Sequence, residues 1–466
     1  MSVSLRPDQQ ADLVFLFRNP RAMLLHEPGT GKTPTVCVNQ FARWSTKQIK
    51  TVWVMPKSLL GKNKRELIRF TPFVDEDVAI VDGDAKKVNR ALGSGAKVFL
   101  MGPDRFRLSY GGLPRDVRAV DVDEMHMCFK GGASQRTMAF LGFASRAAEV
   151  VIMTGTLIDG RLDTAWPAIH AIEPGYYPMG YRQFLNAHAI LDEYEKPVAW
   201  RGHDRIASIL GKHGIRRTFE SVHGEKAVVP QVEWVEMHEL QRAYYDQLEA
   251  TAVVELDEVM IDGTMPGVNL IRARQILEHP ESFPDPRTEG ATRIDLMKGE
   301  EHGKLQSLRV HLEDHQRTGK PFIIFSAFPD QQKRIAAIAA EMGLKVGLLN
   351  SDASAAKRAI VDTDFVAGRT QGIVGSAQIA SVGYNWQFWG PDKAEVEHVI
   401  VASMSYSDSD FVQGYRRTVR EKRRKALRLT VLLYDCEVER RLCRRLEAKS
   451  RDANKVDPTR EVLNLL

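Results

Sequence analysis

The stretch Leu24-Leu25-His26-Glu27-Pro28-Gly29-Thr30-Gly31-Lys32-Thr33 decides how this chain is read. Two apolar residues close a strand, Pro and Gly turn the backbone, and Val36, Val38, Phe41 and Trp44 then suggest a helix. A Gly-rich turn between strand and helix points its N–H groups inward and adds the positive end of the helix dipole, so it cradles phosphates. Lys32 is placed to meet the β- and γ-phosphates of a nucleotide, and the Thr33 hydroxyl to ligate Mg²⁺. Glu27, Gly29, Thr30 and Gly31 complete the predicted loop. The strict pattern has glycine where this chain has His26, while the Gly-Thr-Gly-Lys-Thr core is intact.

A nucleotide hydrolase also needs carboxylates at a strand end, to hold the metal and orient the attacking water. Ala119-Val120-Asp121-Val122 runs into Asp123-Glu124-Met125-His126. Asp123 is the expected metal ligand and Glu124 the water-positioning base. Thr154-Gly155-Thr156 ends another apolar run and could couple the metal site to a second domain. Further on, Gln413 precedes Arg417 by four residues and Arg417 precedes Arg420 by three, which on a helix is one face. Guanidinium groups there would stabilise charge on a transferring phosphoryl group.

Short apolar runs at 51–55, 78–81, 98–101, 119–122 and 150–153 alternate with helical or loop segments, as do runs at 322–325, 345–349, 372–374, 398–401 and 429–434. Such alternation predicts α/β architecture, two lobes of parallel sheet flanked by helices. The expected division is residues 1–220, a helical insertion over 221–300, and 301–466. Leu240–Met260 is expected as one long helix. His311 and His315 have the spacing of a helical metal pair but no evident third ligand, so a solvated face is expected for them.

The 466 residues are 43% hydrophobic and 27% charged, an ordinary globular composition. There is no apolar run of membrane-spanning length and no signal-like N-terminus, and the four cysteines lack close metal-ligand pairing, so a cytoplasmic protein is expected. Net charge is +5, yet Gln413 to Arg451 holds 14 Lys/Arg against 5 Asp/Glu. That segment is a candidate phosphate-contacting surface.

In order and spacing these motifs resemble those of superfamily II helicase-type ATPases, specifically the Swi/Snf family of double-strand DNA translocases. Leu5-Arg6-Pro7-Asp8-Gln9 resembles the family's opening motif, which implies that Gln9 reads adenine. Pro56-Lys57-Ser58-Leu59-Leu60 resembles the next, with Asn63 where the family usually has Trp. Ile215-Arg216-Arg217-Thr218, Gly303-Lys304-Leu305, Phe325-Ser326 and Val382-Gly383-Tyr384-Asn385 resemble later landmarks. The resemblance implies two RecA-like lobes with ATP and Mg²⁺ in the cleft between them, Gly383 and Gln413 on the nucleotide, and Pro56, Lys57, Ser58, Ser326 and Asn385 on nucleic acid. The partner implied is DNA, double-stranded, with no membrane. A compact bacterial or phage motor in replication, recombination or repair is the expectation. A strand-separating helicase, the motor subunit of a restriction system and a non-hydrolysing nucleic-acid-binding module are the alternatives.

Overall fold

The computed structural model describes residues 5–27, 29–132, 134–155, 157–158, 161–224, 228–256, 259–381, 384–405, 407–419, 423, 425–456 and 465. Contacts divide the chain into two compact units, Met1–Glu225 with Ala448–Leu463, and Lys226–Glu447 with Asn464–Leu466.

The first unit is built on seven strands: β1 (Arg21–His26), β2 (Lys50–Val54), β3 (Val78–Ile80), β4 (Val98–Met101), β5 (Val117–Asp123), β6 (Glu149–Met153) and β7 (Gly214–Arg217). They lie in the order β3-β4-β2-β5-β6-β1-β7, and every pairing is parallel. Most of these strands are buried almost along their whole length, which is why they read as continuous apolar runs. Helices α1 (Pro7–Arg18), α2 (Lys32–Lys47) and α3 (Leu60–Phe70) are three of those that join or cover them. The core includes a ring cluster in which Phe106 meets Phe129 and Phe143, and Phe129 stacks on Phe140. Ala453 and Val456 are buried in the same core.

The second unit holds six strands: β8 (Val228–Val235), β9 (Phe322–Phe325), β10 (Val346–Leu349), β11 (Gly372–Gly375), β12 (His398–Val401) and β13 (Leu427–Tyr434). Their order is β8-β13-β12-β9-β11-β10, again all parallel. Leu305, Leu308 and Leu312 of α4 (Gly303–Thr318) pack on Phe322, Ile324, Val374 and Ile400.

The stretch expected as a helical insertion is more strand-rich than its sequence suggested. β8 pairs with β13 over eight residues. The expected helix from Leu240 to Met260 is instead a helix over Glu239–Thr251 followed by a hairpin, Val253–Leu256 with Val259–Asp262. Ala252 takes φ +59° and closes the helix, and the β-branched residues beyond it favour extended backbone.

Candidate nucleotide site

β1 delivers the chain into the loop at His26. Gly29 and Gly31 have φ of +84° and +85°, the left-handed region that glycine enters without a Cβ penalty, and α2 begins at once with Lys32. The Lys32 ammonium donates to the carbonyls of His26 at 2.6 Å and Glu27 at 3.3 Å, inside the curve of the loop. Thr30 closes the turn through its hydroxyl, 2.7 Å from the Glu27 carbonyl. His26 fits where the pattern has glycine because its ring lies beside α1, with Nε2 3.6 Å from an Asp12 oxygen. Burial, and the charges of Lys32 and Arg217, hold its pKa well below the usual value, so the ring is neutral.

The loop has partners the sequence did not announce. The Glu27 carboxylate accepts the Phe219 N–H at 2.7 Å, and His223 Nε2 is 3.3 Å from the Gly29 carbonyl. Arg6 donates to the Thr30 carbonyl at 2.6 Å. Gln9 is buried, its amide donating to the Gly31 carbonyl at 3.0 Å while its oxygen accepts the Arg6 N–H at 3.0 Å. As placed, Gln9 braces the loop from α1.

β5 ends in the two expected carboxylates. Asp123 Oδ1 accepts the N–H of Glu124 at 3.0 Å, and Asn63 Nδ2 lies 3.4 Å from Asp123 Oδ2. Glu124 sits at φ +48°, a region a side-chain-bearing residue rarely enters and one that recurs at functional sites. Burial and the neighbouring Glu124 charge raise the Asp123 pKa, while Lys32, Asn63 and Lys62 pull it down. Such a carboxylate gains from a nearby cation, and Thr33, half-buried at the start of α2, is the expected second protein ligand. No group of three or more His, Cys, Asp or Glu among the described residues could hold a metal by itself.

Thr154 occupies the position between these parts, because β6 lies between β5 and β1 with Met153 opposite both Asp123 and Leu24. Its N–H donates to the Leu24 carbonyl at 3.1 Å, and its hydroxyl is 3.0 Å from His126 Nδ1. Gly155 follows; Thr156 lies outside the described residues. Pro56 is half-buried, whereas Lys57 and Ser58 are exposed on the 3-10 turn before α3. Lys57 also pairs with Asp82 at 2.8 Å.

In the second unit the geometry departs from the expected helical face. Helix α5 (Asp408–Tyr415) carries Gln413, but a 3-10 turn over Arg416–Thr418 follows and Val419 is extended. The Thr418 hydroxyl donates to the Tyr415 carbonyl at 2.8 Å, which helps the turn leave the helix. Arg417 is buried, with Nε donating to the Ala380 carbonyl at 3.1 Å. Gly383 and Arg420 lie outside the described residues. Asn385 is exposed. Ser326 is turned inward, its hydroxyl 2.6 Å from Gln331 Oε1 and 3.2 Å from Ser403. Trp386 is fully buried, with Nε1 on Asp362 at 2.8 Å. His315 is not on a solvated face; it is buried with Nε2 2.9 Å from His398 Nδ1. In the terminal helix α6 (Glu437–Val456), Arg440 pairs with Asp435 at 2.5 Å, and Arg441 and Arg444 reach Glu437 at 3.6 and 3.2 Å, so part of its positive charge is met locally.

No protein-family model matches the chain, and no curated protein matches it in sequence. Among solved structures, the Pyrococcus furiosus Hef helicase domain matches with a TM-score of 0.53 at 16% identity, over 94% of this chain and 97% of that one. The Sulfolobus solfataricus SWI2/SNF2 ATPase core in complex with dsDNA gives 0.42 at 18% identity, over 93% and 88%. A second structure, of the Sulfolobus solfataricus SWI2/SNF2 ATPase core domain, gives 0.41 at 19% identity, over 93% and 86%. The likeness to the Hef domain shows the fold alone, two parallel sheets flanked by helices.

Proposed function

We propose that the chain is a DNA-dependent ATPase of Swi/Snf type that moves along duplex DNA. One observation carries the ATPase reading. The phosphate loop with Lys32, the Thr154 strand end, and Asp123 with Glu124 stand at the carboxyl ends of three adjacent parallel strands, β1, β6 and β5. Ligands of open parallel sheets bind at that edge. Lys32 would neutralise the β- and γ-phosphates, and Thr33 and Asp123 would hold Mg²⁺, which supplies further charge neutralisation when bound. Glu124 orients water and takes its proton. Gln9, Glu27, Gly29, Thr30 and Gly31 shape the loop. Gly383 and Gln413 are proposed on the nucleotide, and Arg417 and Arg420 as the guanidinium pair for the transferring phosphoryl group. The duplex preference rests on the sequence motifs, with Pro56, Lys57, Ser58 and Asn385 proposed on the backbone of the polymer. A setting in replication, recombination or repair remains part of this proposal, as does cytoplasmic location.

The test is steady-state ATP hydrolysis with no polymer, single-stranded DNA, duplex DNA and RNA. Duplex DNA is expected to stimulate most. Lys32→Ala should abolish turnover, and Glu124→Gln should slow it at least ~100-fold while retaining nucleotide binding. Near-parental turnover in either variant would remove the site assignment.

A further inference from the structure

Helix α3 buries one stripe, Leu60, Asn63 and Leu67, and the middle member is polar. Asn63 is 2% exposed. A carboxamide buried on an apolar stripe is costly unless its protons are used, and a leucine there would be the stabilising choice. Both protons of its amide have acceptors, the Met55 sulfur at 3.2 Å and Asp123 Oδ2 at 3.4 Å. Those two acceptors are neighbours because β2 and β5 are paired with Val54 opposite Val122. Lys62, one residue earlier, also acts electrostatically on Asp123. The same helix is preceded directly by Lys57 and Ser58, both exposed, on a turn anchored by buried Leu59 and Leu60. Asn63 lies five positions after Ser58, about 8 Å of helical rise, with no loop between them to absorb a displacement.

We propose that Asn63 is a positioning residue for the Asp123 carboxylate, and that α3 transmits engagement of a phosphodiester backbone at Lys57 and Ser58 to that carboxylate. This rests on the function proposed above. A contact of 3.4 Å is the kind that tightens when substrate binds. Asp123 would present its carboxylate to Mg²⁺ in an orientation that depends on where α3 sits, so DNA contact would change how well the metal is held.

Asn63→Leu tests this, with Asn63→Ser as the second variant should leucine not fold. Three quantities are read: duplex DNA affinity by anisotropy, binding of a fluorescent ATP analogue titrated with Mn²⁺, and ATPase against Mg²⁺ with and without duplex. Duplex affinity should stay within about two-fold. The Mn²⁺ concentration for half-maximal analogue binding should rise about 10-fold, the usual cost of losing a partner of a metal ligand, and stimulation by duplex should fall by a similar factor. Unchanged metal dependence together with unchanged stimulation overturns the inference while the motor reading stands. A parental protein with no ATPase on any polymer overturns the motor reading instead, and the Mn²⁺ titration still decides whether Asn63 positions Asp123.

Discussion

Arg43, near the far end of α2, ties the helix that begins at Lys32 to β5, the strand that ends at Asp123. Its guanidinium meets Asp121 at 3.1 and 3.2 Å, Glu149 at 2.8 Å and the Thr51 hydroxyl at 2.8 Å. Gln40 adds a bond to Asp121 at 2.7 Å. Both Arg43 and Asp121 are fully buried, so the pair is best tested by removing one member or both. Arg43→Ala strands the Asp121 charge and should cost about 3–5 kcal/mol in urea unfolding. Arg43→Leu combined with Asp121→Leu should recover most of that loss. A single variant within about 1 kcal/mol of the parent would show that the network contributes little. Lys32, Thr33, Asp123 and Glu124 can be proposed from sequence because they fall in two short contiguous motifs, whose strands the fold sets on either side of β6. Arg43 with Asp121 (78 apart), Asn63 with Asp123 (60 apart) and His126 with Thr154 (28 apart) cannot be. Those pairs meet only once α2 and α3 pack and β2, β5 and β6 take their order, which no local pattern specifies.

Elements show the same division. The central strands could be read because a parallel strand buried on both faces is a short continuous apolar run. β7 could not be read as a strand, since Gly214-Ile215-Arg216-Arg217 is half polar and only pairing with β1 makes it one. The 3-10 turn at Arg416–Thr418 and the hairpin after Ala252 escaped for a related reason, since their residues tolerate helix until a hydroxyl or a left-handed residue ends it. α4, β12 and β13 meet at a buried histidine whose titration reports their packing. His398 Nδ1 faces the Arg428 guanidinium at 2.8 Å and His315 at 2.9 Å, while Nε2 is 2.9 Å from the Thr430 hydroxyl. Arginine only donates, so Nδ1 must accept and the ring is neutral with its proton on Nε2. Burial first, then Arg428 and His315, lowers its pKa from 6.5 to about 2. The unfolded chain therefore binds the extra proton below pH 6.5, and stability is present above 6.5 and falls as pH drops toward the folded value. At pH 5 the loss should be about 2 kcal/mol relative to pH 7.5. His398→Gln, which can still accept from Arg428, should flatten that part of the profile, and an unaltered slope in paired urea titrations would reject the assignment.

At the scale of the whole molecule, the function proposed above raises the question of what two parallel sheets in one chain would do to a duplex. Strand separation needs something that enters between the strands. The first unit does carry a hairpin outside its sheet, Ala189–Leu191 with Pro197–Trp200, and Tyr194 at its turn is 72% exposed. Its turn, however, holds Asp192, Glu193 and Glu195 against Lys196 alone, and such charge repels the phosphates a splitting pin must pass. This hairpin is thus a poor splitting pin, and on the function proposed above the chain is expected to track intact DNA. Its ATPase should rise with duplex length, because a walking motor spends a smaller share of time rebinding on a longer track. A third strand bound in the major groove should be stripped in an ATP-dependent way, since it lies in the path of a protein moving along the backbone. Plain blunt duplexes should stay paired under the same conditions. Lys32→Ala, retaining the fold but not turnover, should leave the triplex in place and so separates translocation from simple binding. Efficient unwinding of a blunt duplex without triplex displacement would make the protein a strand-separating helicase, and the hairpin bearing Tyr194 would then be the first element to delete.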